Sequence, residues 1–248
     1  SWRSWVTAKM NKTIKGIILS QKDYRERDVI LRLLCEEEGY QSLIARGVRK
    51  ITSKNAAAIQ PFSHVKCFID YHEGKDIHTM RTADLIESYR MIREDLEKQS
   101  IAVVMCECME RAEMEEGFAF LKEALDDLAH TKQPYALLAL FFSCMNRYIG
   151  IEPYVDGCVK CGRKQRIYAI SWKQGGFICQ DCFHEGEAVH YDKETLKCFR
   201  LLCKAVLDQF SIVEGYQNWN YEHFMLVYRF FEDYGGIHLK SLRFFTCL

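Results

Sequence analysis

The chain reads Cys158-Val159-Lys160-Cys161 and then, after a span of 17 residues (162–178), Cys179-Gln180-Asp181-Cys182. Two Cys-x-x-Cys pairs at this separation are typical of a zinc site with four thiolate ligands. Two residues between cysteines let the backbone turn back so that both sulfurs face one ion, and Gly162 can take the positive φ that closes such a turn. The spacing predicts that Cys158, Cys161, Cys179 and Cys182 bind one Zn²⁺ per chain.

Disulfides, a redox dithiol and ordinary buried cysteines are the other interpretations of these pairs. Disulfides require an oxidising compartment, and a thioredoxin-type Cys-x-x-Cys opens a helix in a βαβ unit, which neither pair does. His184 and His190 are alternative ligands, although surface histidines are commoner. Four protein ligands leave no open position, so the ion is expected to hold structure and not to do chemistry. Lys160, Arg163, Lys164 and Arg166 are expected to offset its thiolate charge.

Composition indicates a globular protein with a sizeable core. The chain has 248 residues, no net charge and 12 cysteines. The eight cysteines outside the two pairs mostly occupy apolar positions, which favours a reducing, intracellular compartment. The longest apolar run, Tyr135–Met145, is too short to span a membrane. Residues 1–9 are expected to be an expression remnant or upstream translation, with Met10 as the natural start.

Charge is distributed unevenly along the chain. Residues 10–66 contain 11 Lys and Arg against 6 acids, whereas residues 84–127 contain 13 acids against 5 bases. This asymmetry predicts that one face of the protein meets an anion. The acids of the middle segment are interpreted as solvated faces of helices.

The N-terminal region has the period-2 alternation of strands, with turn residues between the runs. Five strands in about seventy-five residues fit a small closed barrel, and an OB-fold is one such barrel, so residues 10–84 are expected to form an OB-fold β-barrel domain. The predicted strands are Ile14–Ser20, Asp28–Cys35, Gln41–Val48, a fourth through Val65 and Tyr71, and Asp76–Thr82.

Helical periodicity replaces the strand pattern from Ala83 onward. Ser100, Asp192 and Asn220 are predicted N-caps, and Pro134 suits the first turn of an apolar, central helix. Residues 85–248 are therefore expected to form an all-α bundle, with the zinc-ribbon-like segment inserted at about 151–190. The fold class is α+β and multidomain.

Candidate DNA contacts concentrate in a loop that carries four cations and no acid, Arg46, Arg49, Lys50 and Lys54. Cations of this kind take backbone phosphates. Lys15, Lys22, Arg25, Arg27 and Arg32 are secondary candidates. Lys66 beside an outward Phe68 resembles the way barrels hold a single strand, with a cation on phosphate and a ring against a base. The alternatives are a solvated loop and a Phe68 that packs against the next domain.

No catalytic motif appears: the sequence has no Walker loop, no Gly-x-Ser-x-Gly and no His-Glu-x-x-His. We therefore expect no enzymatic activity. Two alternatives to DNA binding stay open, namely a zinc-containing protein–protein adaptor and a zinc or thiol enzyme.

The order of these parts resembles the bacterial RecO family. The resemblance covers about residues 12–245 and is carried by the following segments: Gly16-Ile17-Ile18-Leu19, Tyr24-Arg25-Glu26-Arg27-Asp28-Val29-Ile30-Leu31, Glu38-Gly39-Tyr40, Ile44-Ala45-Arg46-Gly47-Val48-Arg49-Lys50, Gln60-Pro61-Phe62, Gly150-Ile151-Glu152-Pro153, the two cysteine pairs, and Gly236-Ile237-His238-Leu239-Lys240-Ser241.

This resemblance implies a DNA repair and recombination mediator in the bacterial cytoplasm, associated with the nucleoid. RecO-like proteins bind single- and double-stranded DNA and anneal complementary strands. With RecR they help RecA load onto DNA coated by single-strand-binding protein (SSB), whose acidic C-terminal tail they also contact.

Overall fold

Five strands make up the N-terminal region of the computed structural model, which describes residues 9–49 and 55–247. Hydrogen bonds join neighbouring strands in the order β1-β2-β3-β5-β4, and β4 pairs with β1 to close the barrel. The strands are β1 (Lys9–Tyr24), β2 (Asp28–Cys35), β3 (Gly39–Ala45), β4 (His64–His72) and β5 (Ile77–Glu87).

The alternation in the sequence places one side of each strand inside the barrel. Val29, Leu31 and Leu33 of β2 are fully buried, and Val65 and Cys67 of β4 meet them in the same core. Strands β3 and β5 run parallel, and the other neighbours run antiparallel. This is the OB-fold arrangement, so the predicted fold class of the N-terminal region is confirmed.

Gly16 lies where β1 passes from one neighbour to the other. It faces Val65 of β4 on one side and Cys35 of β2 on the other. A Cβ at this position would lie 2.6 Å from the Leu34 carbonyl oxygen, which is closer than side-chain carbons approach backbone. The close approach of the two strands therefore requires glycine here.

Several strand boundaries differ from the predicted ones, and β1 extends beyond the predicted Ile14–Ser20 at both ends. Strand β3 ends at Ala45, so Arg46 lies in a turn. The prediction of helix from Ala83 is wrong, because β5 continues to Glu87 and pairs along that length with β4. Leu85 and Ile86, which suggested a helical stripe, are about half exposed. In this stretch, pairing with β4 therefore outweighs the helical pattern of the local sequence.

The helices of the described residues are α1 (Arg90–Arg93), α2 (Leu96–Ala112), α3 (Gly117–His130), α4 (Pro134–Tyr148), α5 (Lys193–Lys204), α6 (Phe210–Glu214) and α7 (Tyr221–Tyr234). Asp192 and Asn220 cap α5 and α7 as predicted. Ser100 is not a cap, because α2 begins four residues earlier, where the Asp95 carboxylate accepts bonds from the Glu97 and Lys98 amides. Ser100 instead donates its hydroxyl to the Leu96 carbonyl.

Helix α4 is buried over most of its length, as its apolar composition predicts. Its Phe142 ring packs against Phe224, Tyr228 and Phe231 of α7, with ring centroids 5.0–5.5 Å apart. These aromatic contacts form the centre of the helical core.

The cysteine-rich segment interrupts the helices and forms a three-stranded sheet in the order β7-β6-β8. Its strands are β6 (Ile167–Ser171), β7 (Gly176–Cys179) and β8 (Val189–His190). The predicted insertion of a small ribbon into a helical region is confirmed.

The chain divides into two compact units. The first contains the described residues up to Ala129 and those from Leu239, and the second contains His130–His238. Helices α1 and α2, and α3 except its last residue, thus group with the barrel. The boundary of a DNA-binding domain near residue 84 stays a prediction. Within the described residues, no helix has both the length and the apolar character needed to cross a membrane.

Candidate metal centre and nucleic-acid interface

The four cysteines of the two Cys-x-x-Cys pairs converge at one point. All four Sγ atoms lie within 4.8 Å of one another, and the Sγ atoms of Cys161 and Cys179 are 3.7 Å apart. Four sulfurs placed tetrahedrally at the usual Zn–S distance are separated by about 3.8 Å. The cluster therefore fits a divalent metal with four thiolate ligands.

The two pairs close their turns in different ways. Gly162 has a φ of 74°, and its amide donates to the Cys158 carbonyl at 2.8 Å. The second pair uses a 3₁₀ turn over Gln180–Cys182, after which Phe183 returns to extended backbone. The glycine predicted to close the first turn does so, and the second turn closes without one.

The thiol environment favours a cation at the centre. Burial alone would raise the pKa of Cys158, but the backbone amides of Cys179, Cys161 and Lys160 lower it to about 6. The pKa of Cys182 is raised to about 12, because hydrogen bonding with Cys161 and Cys179 disfavours a further thiolate. A divalent ion removes this conflict because it stabilises all four thiolates together.

Three of the four basic residues near the first pair, all except Lys164, form ion pairs with carboxylates. Arg163 pairs with Asp181, and Arg166 Nη1 lies 3.3 Å from the same carboxylate. Lys160 Nζ lies 2.8 Å from Glu187. These cations therefore compensate nearby acids, and a metal ion would have to balance the thiolate charge itself.

Neither nearby histidine joins the cysteine cluster in the described residues. The His190 ring stacks on Tyr168 with centroids 3.9 Å apart, and its Nδ1 contacts the Tyr168 carbonyl oxygen at 2.9 Å. The four cysteines are free thiols in the structure, so neither pair forms a disulfide. A complete set of four sulfurs leaves no position for a substrate, which is the pattern of a structural site.

Four of the predicted DNA contacts gather at one end of the barrel. The β1–β2 turn carries Arg25 and Arg27, and the segment after β3 carries Arg46 and Arg49. The Arg49 amide donates to the Arg27 carbonyl at 3.3 Å, which joins the two segments. All four side chains are exposed, so this end of the barrel, here called the arginine end, presents four guanidinium groups, with the acid Glu26 exposed in the same turn.

A second group lies on the outer face of β1 and β4. Lys15 and Lys66 stand directly opposite each other across the two strands, with Asp84 opposite Lys66 on the other side. Lys66 Nζ lies 5.1 Å from the centre of the Phe68 ring, which is half-buried on the same outer face. Asp84 offsets part of this positive charge, and an anion bound beside Lys15 would offset the rest.

Two other candidates already have acidic partners. Lys22 Nζ lies 3.5 Å from Glu110 of helix α2, and Arg32 lies 2.6 Å from Glu113, the C-cap of that helix. In addition, Arg49 of the arginine end lies 3.3 Å from Asp23. Phosphate binding at these cations competes with the intramolecular carboxylates. The remaining candidates, Lys50 and Lys54, lie outside the described residues.

Sequence reasoning missed Glu110 and Glu113, which were assigned to solvated helix faces. With Glu107 they form a row of acids at every third position along the last turn of α2 and its C-cap Glu113, here called the acid row. The signal was present in that spacing, because residues three apart share one face of a helix. It gave no indication that this face would meet the cations of the barrel.

Comparison with known proteins gives two family matches. Residues 10–89 match the family model described as Recombination protein O N terminal. Residues 93–243 match the one described as Recombination protein O C terminal.

Similar proteins in bacteria cover most of the chain. The DNA repair protein RecO of Syntrophomonas wolfei is 32% identical over 200 residues, which is 78% of this chain and 79% of that protein. The proteins of the same name from Bacillus pumilus and Bacillus subtilis are 29% and 28% identical over 236 residues, which is 93% of this chain and 91% and 92% of theirs.

Proposed function

The chain belongs to the RecO family of DNA repair proteins, and from this premise we propose that it binds single- and double-stranded DNA and anneals complementary strands. In this proposal it acts with RecR to help RecA load onto DNA coated by SSB, contacts the acidic SSB tail, and catalyses no reaction of its own. It would do so in the cytoplasm, at the nucleoid. Family membership supports the repair and recombination role in general.

The arginine end of the barrel is the observation that carries the DNA-binding proposal. Guanidinium groups donate two parallel hydrogen bonds to one phosphate, so four of them on neighbouring turns suit a sugar-phosphate backbone. Lys15, Lys66 and Phe68 form the second contact, in which the ring takes a base and the two lysines share a phosphate. Lys22 and Arg32 contribute after they leave their acidic partners.

We also propose that the ion at the four cysteines is Zn²⁺. A full set of thiolate ligands at tetrahedral spacing is characteristic of structural zinc sites. Its role would be to fix the two turns and the sheet between them, with no part in DNA chemistry.

The DNA-binding proposal is tested by the double variant Arg46→Gln/Arg49→Gln. The control Lys132→Gln/Lys173→Gln removes the same charge from exposed positions of the second unit. Fluorescence anisotropy with a labelled single-stranded oligonucleotide at several salt concentrations should give a salt slope smaller by about 1.4 for the first variant. The control should behave as the wild type, and strand annealing should weaken in parallel.

Equal slopes for the two variants would remove the arginine end from the interface. If the wild-type protein shows no salt-sensitive binding at all, the adaptor function takes precedence. The ion pairs that already occupy Lys22, Arg32 and Arg49 are the observation in its favour.

A further inference from the structure

A pocket in the first compact unit lies at the end of the barrel opposite the arginine end. Strand β2 begins beside the β1–β2 turn of the arginine end and ends at Cys35, where Glu36 and Glu37 follow. The pocket lies between this β2–β3 turn and the α2–α3 connection (113–116), and its volume is about 600 Å³. Among the described residues, its lining includes none of those predicted to contact DNA.

Carboxylates border this pocket, and its described lining contains no lysine, arginine or histidine. Glu36 and Glu37 come from the β2–β3 turn. The α2–α3 connection contributes Glu113, Glu115 and Glu116. All five residues are exposed. Acids therefore border the pocket on two sides, and its rim is strongly negative.

Part of this negative charge has no counterpart. Glu36 contacts His64 Nε2 at 3.0 Å, and Glu113 pairs with Arg32. Glu37 and Glu116 have no ion-pair partner among the described residues. Because they belong to the two different segments that border the pocket, a cationic chain that crosses it meets an unpaired carboxylate on each side.

The interior of the pocket is apolar. Leu34 and Cys35 are buried, and Tyr40, Met114 and Phe118 are half-buried. The Tyr40 hydroxyl donates to the Met114 carbonyl oxygen at 3.4 Å, which joins strand β3 to the α2–α3 connection. The pocket therefore combines an apolar and partly aromatic wall with an anionic rim.

This combination suits the side chain of a lysine or an arginine. Such a side chain has a hydrocarbon stem that packs on apolar surface and a charged head that reaches carboxylates. The cation also gains from the face of an aromatic ring. Nucleic acid is repelled by the acidic rim, and a hydrated metal ion gains nothing from an apolar wall.

We propose that this pocket binds a basic segment of a partner protein, with the stem of one lysine or arginine inserted against the apolar wall. Neighbouring cations of the segment then pair with Glu37 and Glu116. A peptide suits the pocket better than a free polyamine, because its backbone spaces cations over both borders while one side chain fills the interior. Binding of such a segment does not depend on the predicted DNA contacts.

The test measures binding of a fluorescein-labelled synthetic peptide of four lysines that alternate with glycines, by anisotropy with the full chain. The variant Glu37→Gln/Glu116→Gln should bind it about fivefold more weakly, because two exposed ion pairs are lost. The control Glu123→Gln/Glu185→Gln removes the same charge from exposed positions outside the pocket. It should bind the peptide as the wild type does.

A second peptide separates insertion of a stem from simple attraction of charge. It carries 2,4-diaminobutyrate in place of each lysine, so its charge is the same and each stem is two methylenes shorter. The wild type should bind it about tenfold more weakly than the lysine peptide, because less of the apolar wall is covered.

The inference is overturned if the lysine peptide does not bind, if the two glutamate variants lose affinity equally, or if the two peptides bind equally well. Displacement of the peptide by an equal concentration of spermidine would also overturn it and would assign the pocket to free polyamines. Salt-sensitive self-association in sedimentation velocity that Glu37→Gln/Glu116→Gln abolishes would instead assign the pocket to a second copy of this chain.

Discussion

Glu107 shows how one side chain organises its surroundings. Its carboxylate accepts the Ser241 hydroxyl at 2.6 Å and the Ser241 and Lys240 amides at 2.8 and 2.9 Å. Arg111 donates to it at 2.9 Å. Burial alone would raise the pKa of Glu107, but these hydrogen bonds lower it below its ordinary value of 4.5. Glu107 therefore fastens the C-terminal segment to α2.

The variant Glu107→Gln should lower the free energy of unfolding by about 1–3 kcal/mol at neutral pH, because an amide replaces a charged acceptor of several donors. A lowered pKa in the folded state gives stability that is present above the unfolded value and lost as pH falls through the folded value. The difference between variant and wild type should therefore shrink as pH falls below about 4.5. Denaturant unfolding at several pH values measures it.

Glu123→Gln is the matched control, because Glu123 is exposed and has no ion-pair partner in the described part of the chain. It should leave stability within about 0.5 kcal/mol of the wild type. A loss at Glu107→Gln that persisted unchanged in acid would contradict the role given to its charge.

Helix α2 is the element on which the charge balance of the first unit depends. Its acid row places Glu110 against Lys22 and Glu113 against Arg32. In the proposed DNA complex, phosphates would compete with these carboxylates for the two cations. The helix would then reduce the affinity of the barrel for nucleic acid.

The variant Glu110→Gln/Glu113→Gln should raise affinity for single-stranded DNA by about three- to tenfold, because two cations lose their competing acids. Its salt slope should grow by up to about 1.4, since each freed cation takes one phosphate. Anisotropy titrations across salt concentrations measure both quantities.

A control for net charge is Glu123→Gln/Glu185→Gln, which changes two exposed acids that have no ion-pair partner in the described residues. An equal rise in both variants would mean that total charge matters and the acid row does not.

Local signals in the sequence predicted the elements well where the interaction itself is local. Asp192 and Asn220 cap their helices because a short acceptor reaches an amide only three residues away. The prediction of Ser100 as an N-cap was wrong because the Asp95 carboxylate accepts the N-terminal amides of α2 about one turn earlier. The prediction ended strand β5 too early, because the pairing of β5 with β4 is a long-range contact that no local stretch of sequence contains.

The candidate sites divide in the same way. Four cysteines at fixed spacing predicted the thiolate cluster, because the ligands come in two local pairs and one short sheet joins them. The acidic partners of Lys22 and Arg32 are separated from them by 88 and 81 residues. Such pairs depend on how helix and barrel pack, and the sequence alone does not give that packing.

At the scale of the whole molecule, the predicted DNA-binding residues and the predicted metal ligands lie in different compact units. The residues predicted to contact DNA belong to the first unit, and the cysteine cluster belongs to the second. A metal that holds the turns of the second unit should stabilise that unit locally and leave the barrel strands as they are.

Removal of the metal with a chelator should therefore raise amide hydrogen exchange in β6 and β7 by roughly tenfold or more, with little change in β2. Mass spectrometry of exchanged peptides measures this directly. Cys161→Ser should lose the metal, and Cys144→Ser, outside the cluster, should retain one equivalent by elemental analysis. Unchanged protection of β6 and β7 after chelation would contradict a structural role.

Strand β1 has a consequence for synthesis on the ribosome. Its first residues, 9–15, have their strand partner only in β4, which emerges after residues 28–63 have been translated. Until then the nascent polypeptide carries an unpaired strand edge that invites pairing with another copy. A chaperone that binds nascent chains at the ribosome would therefore protect this protein most during the interval before β4 has been translated.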